Sequence, residues 1–95
     1  MRYWVYILKS ERDGGIYIGH TDDLALALAE HEAGAKRDTK YRLPAQLVHK
    51  ESVASFKQVK MRERYWQSPK GHAEIETMIG PFQKWKNKYE YRLEK

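Results

Sequence analysis

The sequence predicts a small α+β fold, a three-stranded antiparallel sheet flanked by helices, and three observations carry that expectation. Two strand-like runs, Arg2 to Lys9 (RYWVYILK) and Ile16 to Gly19 (IYIG), are separated by ERDGG, whose Asp-Gly pair signals a hairpin. Helical patterns over Asp22 to Ala33 and Phe56 to Gln67 flank a third strand-like run, Ala45 to Lys50. Finally, 95 residues allow one modest core and leave no material for a second.

The first strand is rich in aromatic and β-branched residues on both faces, Tyr3, Val5 and Ile7 on one and Trp4, Tyr6 and Leu8 on the other. Such a strand is buried on both sides and belongs at the centre of the sheet. After the hairpin, Ile16 and Ile18 alternate with Tyr17 until Gly19, where the backbone is able to turn tightly or to admit a close neighbour. Thr21 or Asp22 then caps the first helix, and the two aspartates favour its positive end. A phenol hydroxyl is thereby expected at a sheet edge beside a helix start, a common place for chemistry.

Leu24, Ala27, Leu28 and His31 share one face of the first helix, which stops near Gly34. Leu26 faces away from them and marks a candidate contact for a weak homodimer. A basic loop, Ala35 to Leu43, leads to Pro44 at the opening of the third strand, where proline costs no ladder bond. Ser52 to Ser55 offers caps for the second helix, whose apolar stripe is Phe56, Val59 and Trp66. Glu63 falls on that same stripe. An inward carboxylate is costly unless it is paired, hydrogen-bonded or bound to a cation. Ser68-Pro69 ends this helix and starts a third, Lys70 to Ile79, closed by Gly80-Pro81. Residues 1–80 therefore form the domain, and 81–95 a basic aromatic C-terminal helix or arm.

With no cysteine no disulfide is available, and the longest apolar run is too short to span a bilayer. The expectation is a cytoplasmic protein without membrane contact. Eighteen Lys and Arg against thirteen Asp and Glu give a net charge of +5. The surplus is clustered: KRDTKYR carries four positive charges and one negative, and Lys57 to Lys70 carries five against Glu63 alone. Clustered positive charge beside twelve aromatic residues suits a polyanion, since phosphates are neutralised by Lys and Arg while bases stack on rings.

VYI at Val5 to Ile7, YIG at Tyr17 to Gly19, the T-D-D-L that follows, a histidine seven residues after Leu24 and R-E in the second helix occur in an order and spacing that resembles the GIY-YIG nuclease family. The likeness runs from about Tyr3 to Gly80 and is closest to small stand-alone domains similar to the N-terminal nuclease domain of the DNA-repair excinuclease. It implies metal-dependent hydrolysis of DNA phosphodiesters on one face of a three-stranded sheet. Tyr6 and Tyr17 would position and activate the attacking water, Glu63 would hold the divalent cation, Mg²⁺ or Mn²⁺, and His31 would have an auxiliary role. Lys36, Arg37, Lys40, Arg42, Lys57, Lys60 and Arg64 would hold the DNA backbone, a contact that carries no sequence choice.

The chain also departs from the family's pattern. Ala27 occupies the position of the arginine that binds the scissile phosphate, Trp4 replaces the first motif's glycine, and Gln67 stands where a lysine is frequent. Losing a guanidinium that stabilises developing charge costs about 100- to 1000-fold in rate. The resemblance thus implies an impaired endonuclease or a catalytically inactive DNA-binding module of the same fold. Each motif residue also has a plainer role open to it. The tyrosines suit ordinary strand packing, Glu63 a salt bridge to Lys60, Arg62 or a residue elsewhere, and His31 a helix C-terminus. His20, His49 and His72 lack metal-ligand spacing and read as surface or strand positions.

Overall fold

A computed structural model describes residues 2–36 and 39–82. Its sheet has the order β2-β1-β3, built from β1 (Tyr3–Ser10), β2 (Ile16–Thr21) and β3 (Ala45–Val53), with both pairings antiparallel. The doubly apolar β1 lies at the centre, with Val5, Tyr6, Ile7 and Leu8 all buried. No helix among the described residues is long and apolar enough to cross a membrane.

The three helices divide between the two faces. On one face α1 (Leu24–Glu32) packs Ala27 against Tyr6 and Leu8, with Leu24 and Leu28 at the margin. On the other, α2 (Phe56–Trp66) and α3 (Pro69–Ile79) bring Val59, Trp66 and Ile75 against Val5, Ile7 and Ile16. The alternation of side chains along β1 is what separates the two cores. Gly71 lets α3 approach the end of α2, because a Cβ there would lie 2.0 Å from the Tyr65 carbonyl oxygen.

Local differences from the sequence-based expectations have physical causes. β3 runs to Val53 instead of Lys50 because Glu51, Ser52 and Val53 continue the ladder opposite Val5, Trp4 and Tyr3. The register shifts between Ile7 and Leu8, so that Val48 is the extra residue of a bulge on β3. The cap of α1 is Asp23, whose side chain accepts the Leu26 amide; Thr21 Oγ1 accepts the Asp23 amide. Phe56 is 45% exposed at the start of α2, so the buried part of the stripe narrows to Val59 and Trp66.

Arg42 joins two loops. Its guanidinium lies 3.0 Å from Asp13 in the hairpin, and its carbonyl accepts the Ser10 hydroxyl. Leu26 is exposed on α1. Beyond Phe82, which packs on the α3 core, the expected C-terminal arm lies outside the described residues, as does Arg37.

Candidate active site

Tyr6 and Tyr17 stand on the α1 face of the sheet. Gly19 is the direct partner of Tyr6 across the β1-β2 ladder, and both rings lean over its bare backbone. A Cβ at that position would lie 2.7 Å from Tyr17 Cε2 and 3.0 Å from both Cζ and the hydroxyl of Tyr6. The glycine therefore serves close approach; its φ is not in the left-handed region.

The ring of His31, from the last turn of α1, closes the cluster. Its centroid is 5.7 Å from Tyr6 and 5.3 Å from Tyr17, each edge-on, and the two tyrosine rings are 6.3 Å apart. Polar contacts run through the same ring. Tyr6 Oη is 2.7 Å from His31 Nε2, and His31 Nδ1 is 2.7 Å from Thr39 Oγ1. Tyr6, His31 and Thr39 are 2%, 3% and 0% exposed, so this chain is buried. Burial raises the Tyr6 phenol well above its ordinary pKa, and the charges of Tyr17, Glu63 and Glu30 act in the same direction. Tyr6 is consequently a neutral phenol with a proton to donate.

Glu63 approaches from the other face. It sits on α2, its Oε2 2.9 Å from Nδ1 of His20, and its side chain is 23% exposed. The inward glutamate is thus half sheltered at the sheet edge. Its charge still raises the pKa of the Tyr6 phenol across edge strand β2. His20 follows Gly19 in β2 and points to α2 by simple alternation, where its ring also meets Phe56 edge-on at 5.5 Å. Where the resemblance implies a site on one face, the tyrosine cluster and Glu63 lie on opposite faces of the sheet.

Arg62 is not available to Glu63, since it forks onto Glu51 at 2.6 and 3.1 Å. Glu51 also accepts from Trp66 Nε1 and pairs with His49. Burial pushes the Glu51 carboxyl up, but the hydrogen bonds and charges of Arg62 and His49 outweigh it and hold it below the usual carboxylate range. This cluster ties β3 to α2 and lies apart from the tyrosines.

Lys57, Lys60 and Arg64 are exposed at helical spacing along α2, flanking Glu63, and form no ion pair among the described residues. Lys36 is exposed and pairs with Glu30 at 3.3 Å, Lys40 is exposed beside Tyr41, and Arg42 is 9% exposed on Asp13. Ala27, 4% exposed, packs against Tyr6 one helical turn before His31. The position where the resemblance implies an arginine therefore adjoins the tyrosine cluster and carries no charge.

A cation site can be judged by its donors. Among the described residues no three His, Cys, Asp or Glu side chains gather. Among the described residues Glu63 alone offers a carboxylate there, with His20 fixing one oxygen. A hard cation such as Mg²⁺ takes oxygen ligands, keeps several waters and completes its shell with substrate phosphate, so one carboxylate fits.

Two tyrosines on paired strands over a glycine, a histidine on the first helix and a glutamate on the second define the GIY-YIG class of domain. A family model described as the GIY-YIG catalytic domain matches residues 2–76, and the chain belongs to that family. Among its relatives, a UPF0213 protein of Streptococcus pneumoniae (strain ATCC BAA-255 / R6) is 34% identical over 68 residues, covering 70% of this chain and 68% of that one. Another UPF0213 protein, from Staphylococcus haemolyticus (strain JCSC1435), is 35% identical over 63 residues, 65% and 76% of the two chains. The solution NMR structure of a UPF0213 protein from Bacillus halodurans superposes with a TM-score of 0.52 at 26% identity, covering 84% and 87%. GIY-YIG domains are generally nucleases using divalent metal ions, which implies a nucleic-acid substrate; the names of these relatives state no activity.

Sequence reasoning missed His20 and Thr39. The signal for His20 was its parity: the residue after Gly19 must face the opposite helix layer, where Glu63 lies. Thr39 gives no comparable signal, because only the fold brings it under α1.

Proposed function

We propose that this chain is a DNA endonuclease domain hydrolysing phosphodiesters with Mg²⁺ or Mn²⁺ held by Glu63, and that Ala27 lowers its rate. The observation that carries this is the buried Tyr6-His31-Thr39 chain packed over Gly19. An apolar core would avoid the desolvation cost of three buried polar groups, so their retention beside a family motif points to chemistry.

A divalent cation held at Glu63 would supply neutralisation of phosphate oxygens and a more acidic water. Glu63 would hold it by a carboxylate oxygen, and His20 keeps that carboxylate oriented. Tyr6 and Tyr17 position the attacking water, and His31 holds the Tyr6 hydroxyl in place. Lys57, Lys60 and Arg64 grip the phosphate backbone next to Glu63, with Lys36, Arg37 and Lys40 extending the contact. Arg42, already engaged by Asp13, orders the loop that carries them. Such contacts select DNA structure over sequence. The location expected for such an enzyme is the cytoplasm.

Ala27 favours a second reading, a DNA-binding module of the same fold that no longer cleaves. Plasmid and branched DNA incubated with Mg²⁺ or Mn²⁺ separate the two. Slow nicking by the parent chain that Glu63→Gln abolishes supports the enzyme. Binding without nicking by either protein supports the module.

A further inference from the structure

We infer that Thr39 is a positioning residue of the tyrosine site: by accepting the Nδ1 proton of His31 it holds the imidazole in the one tautomer whose Nε2 accepts the Tyr6 hydroxyl. The inference deepens the endonuclease reading and rests on it for its catalytic meaning, but its geometry stands alone.

Two 2.7 Å contacts are compatible with either direction of donation, so the direction follows from proton bookkeeping among the buried partners. Tyr6 is 2% exposed, and His31 Nε2 is its hydroxyl's one hydrogen-bond partner among the described residues. A buried hydroxyl proton left undonated is costly. If Nε2 carried a proton, the Tyr6 proton would have no protein acceptor among the described residues. Nε2 must therefore be bare, and a neutral imidazole then carries its proton on Nδ1, which faces Thr39 Oγ1. Threonine suits this position because its oxygen accepts while its own proton rotates away.

The same arrangement would serve hydrolysis. As water attacks phosphorus, its proton passes to Tyr6 Oη while the Tyr6 proton passes to His31 Nε2. Hydroxide is delivered to phosphorus as the P–O bond to the leaving sugar oxygen breaks, and that alkoxide takes its proton from solvent water; Tyr6 ends as the neutral phenol it began as, and the imidazolium donates from both nitrogens, to Tyr6 and to Thr39. No phenolate needs to accumulate. Thr39 lies in the basic loop proposed to contact DNA, so loop position and histidine tautomer are joined through one hydroxyl.

The test reads the ring directly. Two-bond ¹H–¹⁵N correlation spectra of the intact chain distinguish the tautomers of each histidine, with His31→Gln assigning the signals. Wild type is expected to show His31 protonated at Nδ1 and bare at Nε2. Thr39→Val, nearly isosteric, should shift the tautomer ratio about two- to tenfold toward Nε2–H, the effect of one hydrogen bond. Thr39→Ser should restore it. Finding Nε2–H in the wild type overturns the inference even if no variant folds, and so does a Thr39→Val spectrum with the wild-type tautomer. Because the readout involves no cleavage, absence of nicking in the separate DNA assay strikes the endonuclease proposal and leaves the tautomer assignment to its own test.

Discussion

Gly19→Ala inserts one methyl group between two tyrosine rings, and its consequences can be worked from three distances. The new Cβ would lie 2.7 Å from Tyr17 Cε2 and 3.0 Å from Tyr6 Cζ and Oη. To regain ordinary carbon contact near ~3.4 Å, Tyr17 must recede by roughly 0.7 Å and Tyr6 by roughly 0.4 Å. Tyr17 is half-buried and has some freedom. Tyr6 is buried, and its hydroxyl is pinned to His31, so its share of the movement loosens a 2.7 Å hydrogen bond. Overpacking of this size costs about 1–3 kcal/mol, offset by about 0.4–1 kcal/mol from the reduced entropy of the unfolded chain. A net loss of about 1–2 kcal/mol should lower the urea midpoint without changing the m-value, and the Tm by about 4–16 °C for a domain of this length. The His31 ring signals should move with it. A Gly19→Ala protein of wild-type or higher stability, with unmoved His31 signals, would refute the claim that this glycine exists for the close approach of the tyrosines.

The Glu51 cluster predicts a pH dependence. Its folded pKa is depressed, so its contribution is present above the unfolded value of 4.5 and is lost as pH falls through the lower folded value. Urea unfolding between about pH 6 and 3 should show wild type losing stability faster than Glu51→Gln, the gap at pH 6 being about 1–2 kcal/mol because Arg62 is 38% exposed and partly screened; parallel curves would contradict this. On α2, replacing Lys57, Lys60 and Arg64 with alanine should weaken binding to branched DNA and reduce the slope of log K against log salt by about 0.9 for each phosphate no longer neutralised. Fluorescence anisotropy at several salt concentrations measures it, and an unchanged slope would remove these residues from the interface.

Much of the fold was legible because local signals agreed with one another. The two-sided apolar pattern of Tyr3 to Leu8 identified a central strand, and Ser68-Pro69 and Gly80 marked the ends of α3. Misjudged boundaries lie where a tertiary partner decides. Ser52 resembled a helix cap, but pairing with Trp4 keeps it in β3. The stripe on α2 predicted Phe56 inside, yet only Val59 and Trp66 lie under the sheet. For the site, motif spacing singled out Tyr6, Tyr17, His31 and Glu63, but pairwise partners depend on which helix covers which face. That Glu63 meets His20, Arg62 meets Glu51 and His31 rests on Thr39 are consequences of packing that no short window contains.

The most direct test of the disarmed-nuclease proposal is the nicking rate of Ala27→Arg against wild type, with Ala27→Arg, Glu63→Gln as the control, on plasmid and branched DNA with Mg²⁺ or Mn²⁺. Ala27 sits against Tyr6, so an arginine there is expected to send its guanidinium out beside the tyrosine cluster, where a scissile phosphate would lie. A gain of about 100- to 1000-fold, abolished by Glu63→Gln, is the predicted result. A folded Ala27→Arg protein that binds DNA yet nicks no faster than wild type, or a gain that survives Glu63→Gln, would contradict it.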